Sequence, residues 1–134
     1  MKLKIFFAAI ILSAIVLISS CTKESTAAVY TLEGSWVGTY GIGTSVPTTY
    51  YSFHFKPGGN LLIESSNIAN PDLANGSWSL AGDSVKGIYK YIVGGDSIYS
   101  FGAKYSSASN IITGTWGRGA TDYVGGGTFS ITKE

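Results

Sequence analysis

From Leu32 onward the chain alternates bulky residues with small or polar ones at a period of two, and short glycine-rich pairs and triplets interrupt the alternation. No apolar stripe of helical period accompanies it. Such a chain is confined to antiparallel sheet, because strand side chains change face at every residue and tight turns can join only antiparallel neighbours. The pattern predicts eight strands, at about 34–41, 49–56, 60–65, 76–81, 84–92, 97–105, 110–117 and 127–133. Pro57-Gly58-Gly59, Gly82-Asp83, Gly94-Gly95-Asp96 and Ser106 to Ser109 are expected turns. Ser66 to Asn75, with Pro71 inside it, is expected as a longer excursion with room for one helical turn.

The bulky residues of every strand share one parity. They include Trp36 and Tyr40, Tyr51, Phe53 and Phe55, Trp78, Tyr89 and Tyr91, Tyr99, Phe101 and Tyr105, Trp116, and Phe129. The opposite parity carries Ser52, His54, Glu64, Lys86, Lys90, Ser100 and Lys104. One-sided strands joined by short turns, without crossover helices, predict an all-β fold, an eight-stranded antiparallel up-and-down barrel. A sandwich would need longer crossover connections than the chain provides.

Residues 1–20 describe an address and not a fold. Lys2 and Lys4 precede a stretch from Ile5 to Leu17 that is apolar except for Ser13, shorter than the roughly 20 residues of a spanning helix. It ends in Leu17-Ile18-Ser19-Ser20-Cys21, which resembles the lipobox of bacterial lipoproteins and implies a lipid on Cys21. The expected division is a signal peptide at 1–20, a lipidated cysteine and flexible tether at 21–31, and a barrel domain at 32–134, with the product anchored in the cell envelope on the outer membrane. Cys21 is the only cysteine, so neither a disulfide framework nor a cysteine zinc site is available. Beyond the leader, seven basic residues stand against eight acidic ones, which leaves no basic field for nucleic acid.

All three tryptophans occupy one tripeptide pattern, in Gly34-Ser35-Trp36, Gly76-Ser77-Trp78 and Gly114-Thr115-Trp116. Leu32-Glu33-Gly34-Ser35-Trp36 resembles the G-x-W element of lipocalins, whose tryptophan closes one end of the barrel. With Phe55-Lys56-Pro57-Gly58-Gly59-Asn60-Leu61, Ile112-Thr113-Gly114-Thr115-Trp116 and Gly127-Thr128-Phe129-Ser130-Ile131, the mature chain resembles the small lipocalin-like lipoproteins of Bacteroidetes. The resemblance implies a barrel that holds a small apolar ligand.

Catalytic chemistry finds little support. His54 is the single histidine and is expected to face outward, no G-x-S-x-G element is present, and Asp83 and Asp96 fall at turns. No cofactor, metal site or enzymatic reaction is expected. Ten of the inward aromatics form the candidate ligand-binding set: Trp36, Tyr51, Phe53, Trp78, Tyr89, Tyr91, Tyr99, Phe101, Tyr105 and Trp116. Tyrosine is a poor choice for a dry core, since each buried hydroxyl needs a partner, and this favours a pocket with flat apolar walls. The same rings can also simply fill the barrel, leaving a structural or protein-interaction lipoprotein.

The leader generates one expectation in the cell. Metabolic labelling with a fatty-acid analogue marks the wild-type protein and not Cys21→Ser; equal labelling of both contradicts lipidation.

Overall fold

The computed structural model describes residues 32–134, so the leader, Cys21 and the tether at 21–31 lie outside the described residues. Eight strands follow one another: β1 (Gly34–Tyr40), β2 (Thr49–Lys56), β3 (Asn60–Ser66), β4 (Asp72–Ala81), β5 (Ser84–Tyr91), β6 (Ile98–Ser106), β7 (Ile111–Arg118) and β8 (Gly127–Lys133). Each pairs antiparallel with the next, and β1 pairs with β8 from Trp36↔Lys133 to Tyr40↔Phe129, which closes the sheet into an up-and-down barrel. Among the described residues the one helical element is a single 3-10 turn at Pro57–Gly59.

Most strand ends lie within one residue of expectation, and two of the differences matter for the site. β4 begins at Asp72 and not at Gly76, because Asp72 to Asn75 pair with Leu62 to Ser65 of β3. The inward position here is Ala74 and the bulky Leu73 faces outward, so the alternation is hidden. The expected helical turn is absent there; Ser66 turns the chain at φ 75 and the Asn67 side chain accepts the Ala69 N–H at 2.9 Å, an Asx turn. β7 runs one residue further, to Arg118, which pairs with Tyr99.

The two ends of the barrel are built differently. At one end lie the short connections 57–59, 82–83 and 107–110, together with Leu32, where the described chain enters. Trp36 closes this end, fully buried, its indole N–H donating to the Leu32 carbonyl at 2.9 Å. Its ring meets Tyr105 and Phe55 edge-on, at 5.5 and 6.4 Å between centroids. Trp78 fills the neighbouring corner, 5.3 Å from Phe55, and donates its N–H to the Lys56 carbonyl.

The waist is solid. Phe53, Phe101 and Phe129 are buried and in mutual contact, with centroids 4.9, 5.2 and 5.9 Å apart. Gly87 makes room for them: a Cβ there would overlap the Phe101 ring, and Phe101 pairs with Gly87 across the strands. A layer of this kind sits at crystal-like density and leaves no passage from one end to the other.

The outer wall follows the expected parity except at Ser52 and Ser100, which are buried. The β7–β8 connection explains Ser100. It folds back over the outer face, with Tyr123 packed on Gly102, its carbonyl accepting the Thr115 hydroxyl, and the Asp122 and Val124 carbonyls crowding Gly117, the neighbour of Ser100. Ser52 lies beside the His54 ring, 3.4 Å from Nε2.

Candidate functional site: the mouth of the barrel

The end opposite Trp36 carries the longer connections, 41–48, 67–71, 92–97 and 119–126, and it is open. Strand parity delivers a tyrosine or tryptophan to the inner face at the top of five strands: Tyr40 on β1, Tyr51 on β2, Tyr91 on β5, Tyr99 on β6 and Trp116 on β7. These residues, with Tyr89 below and Ile42 on the rim, enclose a cavity of about 190 Å³. Apolar cavities of about 150 Å³ accept a benzene-sized ring. The floor is the tyrosine layer itself, Tyr51 resting 4.7 Å from Phe53 and 5.7 Å from Phe129.

The hydroxyls are arranged so that several donors remain available. Tyr51 donates to the Tyr89 oxygen at 3.0 Å, which leaves the Tyr89 proton directed elsewhere. Tyr91 and Ser65 share a bond of 2.9 Å. Among the described residues the Tyr40 and Tyr99 hydroxyls have no hydrogen-bond partner. The walls are flat: Tyr89 and Tyr99 stack at 5.5 Å, Tyr91 stands edge-on to Tyr99 at 5.6 Å, and Tyr40 edge-on to Trp116 at 6.1 Å. The Trp116 N–H is held by the Gly41 carbonyl at 3.2 Å, which fixes that ring.

Two further depressions share these walls. One of about 210 Å³ reaches past Tyr91 and Tyr99 to Asp72, Val93 and Ser97. Another, shallower and about 480 Å³, reaches past Trp116 and Ile42 to Arg118, Asp122 and Val124. The mouth is therefore a trough across the barrel end, with an aromatic centre and polar flanks.

The expected ligand-binding set divides cleanly along the barrel axis. Tyr51, Tyr89, Tyr91, Tyr99 and Trp116 come together around the mouth cavity. Phe53 and Phe101 lie in the packed waist, and Trp36, Trp78 and Tyr105 at the closed end, away from it. Sequence reasoning left out Tyr40, Ile42, Asp72 and Arg118. Arg118 was within reach of the alternation, since it continues the inward parity of Gly114 and Trp116, and only the early end placed on β7 hid it.

A second polar cluster sits on the outer wall. Ser35 Oγ lies 2.9 Å from His54 Nδ1, and His54 Nε2 lies 3.6 Å from the Glu64 carboxylate, which also accepts the Tyr50 hydroxyl at 3.1 Å. The order serine, imidazole, carboxylate is that of a nucleophilic relay, but the cluster lies on the convex face of β1, β2 and β3, whose backbone N–H groups are committed to the sheet ladder. A role in tying these three strands together accounts for it. Among the described residues no group of three His, Cys, Asp or Glu side chains is placed to hold a metal ion.

Burial acts on the mouth phenols. It pushes Tyr51 well above the ordinary tyrosine range, and raises Tyr89 and Tyr91 as well, in each case because the phenolate would lose its solvation. The folded protein thus keeps these protons at a pH where the unfolded chain, with tyrosines near the usual value of about 10, releases them. Their contribution to stability is complete below about pH 10 and is lost as pH rises further. Urea midpoints measured at about pH 8 and about pH 11 should show that loss, and it should be shallower in a Tyr51→Phe, Tyr89→Phe double variant. A double variant falling as steeply as wild type contradicts the assignment.

Compared with family models, with curated proteins and with solved structures, the chain matches none of them.

Proposed function

We propose that the protein is a noncatalytic lipoprotein, anchored through Cys21 to the outer membrane of the cell envelope, whose lipocalin-like barrel binds a small apolar or aromatic ligand at its open end. The observation that carries this reading is the mouth cavity: flat aromatic walls and phenol donors without protein acceptors, set above a waist that is already full. A barrel needing only a core would fill this layer with aliphatic side chains or phenylalanine, as it does below. The chain enters at the closed end, at Leu32, so a tether beginning at Cys21 joins the barrel away from the mouth.

The cavity also bounds the ligand. A fused two-ring compound burying about 150–200 Å² of apolar surface gains at most roughly 4–5 kcal/mol before the cost of association, so burial alone gives a Kd no tighter than about 0.2 mM. Tighter binding requires polar contacts, which the hydroxyls supply.

A second reading, a protein-interaction lipoprotein, is favoured by the rim. Ile42, Val46, Ile68, Ile92, Val93 and Val124 are exposed by more than half, and all belong to connections at the mouth. Aliphatic side chains concentrated at one end of a barrel mark a contact surface.

Titration with the neutral probe 2-acetylnaphthalene separates the two. The ligand reading expects binding near one-to-one, weakened in Tyr99→Phe by roughly 0.5–1.5 kcal/mol for the lost hydroxyl donor. Lys86→Ala, on the outer wall, serves as the control that binds as wild type does. Absence of binding in all three proteins removes the ligand reading and leaves the interaction module.

A further inference from the structure

Among the inner-face residues at the mouth, one is a cation. Arg118 is the last residue of β7, on the parity of Trp116, and its guanidinium lies over the Tyr99 ring, 5.9 Å from the centroid. A cation at this distance over a ring face is attracted by the ring quadrupole, a contact that does not consume its N–H donors. Among the described residues no carboxylate forms an ion pair with it. Two pairs of rim groups are engaged elsewhere: Lys90 pairs with Asp96 at 2.5 Å, and Asp72 accepts the Ser66 hydroxyl at 2.7 Å. Asp122 lines the same depression as Arg118 without pairing to it.

We infer that the mouth takes an aromatic or apolar acid, its ring seated among the tyrosines and its anionic group held by the edge of Arg118. The inference rests on the ligand reading above and adds the charge and the direction of the ligand. Trp116 and Ile42 line both the aromatic cavity and the depression that holds Arg118, so a ring in the first has a continuous path for a short acidic substituent into the second. The face of the Tyr99 ring attracts the guanidinium to this side of the mouth. Each flank carries one carboxylate, Asp72 on one side and Asp122, turned towards Gly119, on the other, but only the second flank also carries a cation, so the net charge favours the anionic group at Arg118. A planar guanidinium edge matches a carboxylate through two parallel hydrogen bonds, a geometry lysine does not offer.

The test compares two probes of one shape and different charge, 2-naphthoate and 2-acetylnaphthalene, on wild type and Arg118→Gln. Wild type should bind the acid about tenfold more tightly than the ketone at low salt, and the preference should shrink as salt screens this exposed contact. In Arg118→Gln the ratio should fall to near one, while Arg118→Lys should recover part of it. Equal affinities in wild type, or a ratio unmoved by Arg118→Gln, overturn the inference and leave the ligand reading standing. Failure of both probes to bind overturns the two together. Arg118 is exposed, and thermal unfolding of the variants verifies that a lost preference is not a lost fold.

Discussion

The contact of Phe53, Phe101 and Phe129 at the waist is the interaction on which the rest of this barrel depends. Closing eight strands fixes the interior width, and that width must be filled by side chains or left as a cavity. Here rings from β2, β6 and β8 meet at the axis, and glycine on the facing strand, Gly87, removes the side chain that would block Phe101. Below this layer Trp36, hydrogen-bonded to the Leu32 carbonyl, caps the end. The domain has no disulfide available to it, so this packing and the uninterrupted ladder from β1 round to β8 hold it together.

Because the waist is full, whatever the barrel binds is confined to one end. The change of residue type along the axis marks the boundary: phenylalanine at the waist, tyrosine above it. Tyr51 stands on the border, fully buried and bonded to Tyr89, so that its hydroxyl is satisfied by the protein while those of Tyr40 and Tyr99 are not. The pocket and the packed core are thus successive layers of one interior. The polar flanks of the mouth follow from the same strand parity that places the rings.

Most of the fold was legible in the sequence because the alternation is strong where residues are bulky. All eight strands and their faces follow from it, while the closing of one end by Trp36 was implied by the resemblance to the lipocalin G-x-W element. Legibility failed where the inward residue is small: Ala74 faces inward and the bulky Leu73 outward, so Asp72 to Asn75 carry no visible alternation, yet partner pairing with β3 makes them strand. The same failure one residue short of Arg118 removed the mouth's cation from view. Ser100 was out of reach for a different reason, since its burial depends on the β7–β8 connection folding back onto the wall, a tertiary event that no periodicity records. The division of ten inward aromatics into waist, closed end and mouth likewise needs strand register, which parity alone does not supply.

The interior is occupied up to the tyrosine layer and accessible only above it. Amide and indole chemical shifts recorded while a neutral naphthalene probe is added test it most directly. Movement is expected at Gly41, Ile42, Tyr91, Tyr99 and the Trp116 indole, with Val85, Ala103, Ile112 and the Trp36 indole unmoved. Shifts concentrated at Trp36, Val85 and Ile112 would place the ligand inside the closed half and contradict it.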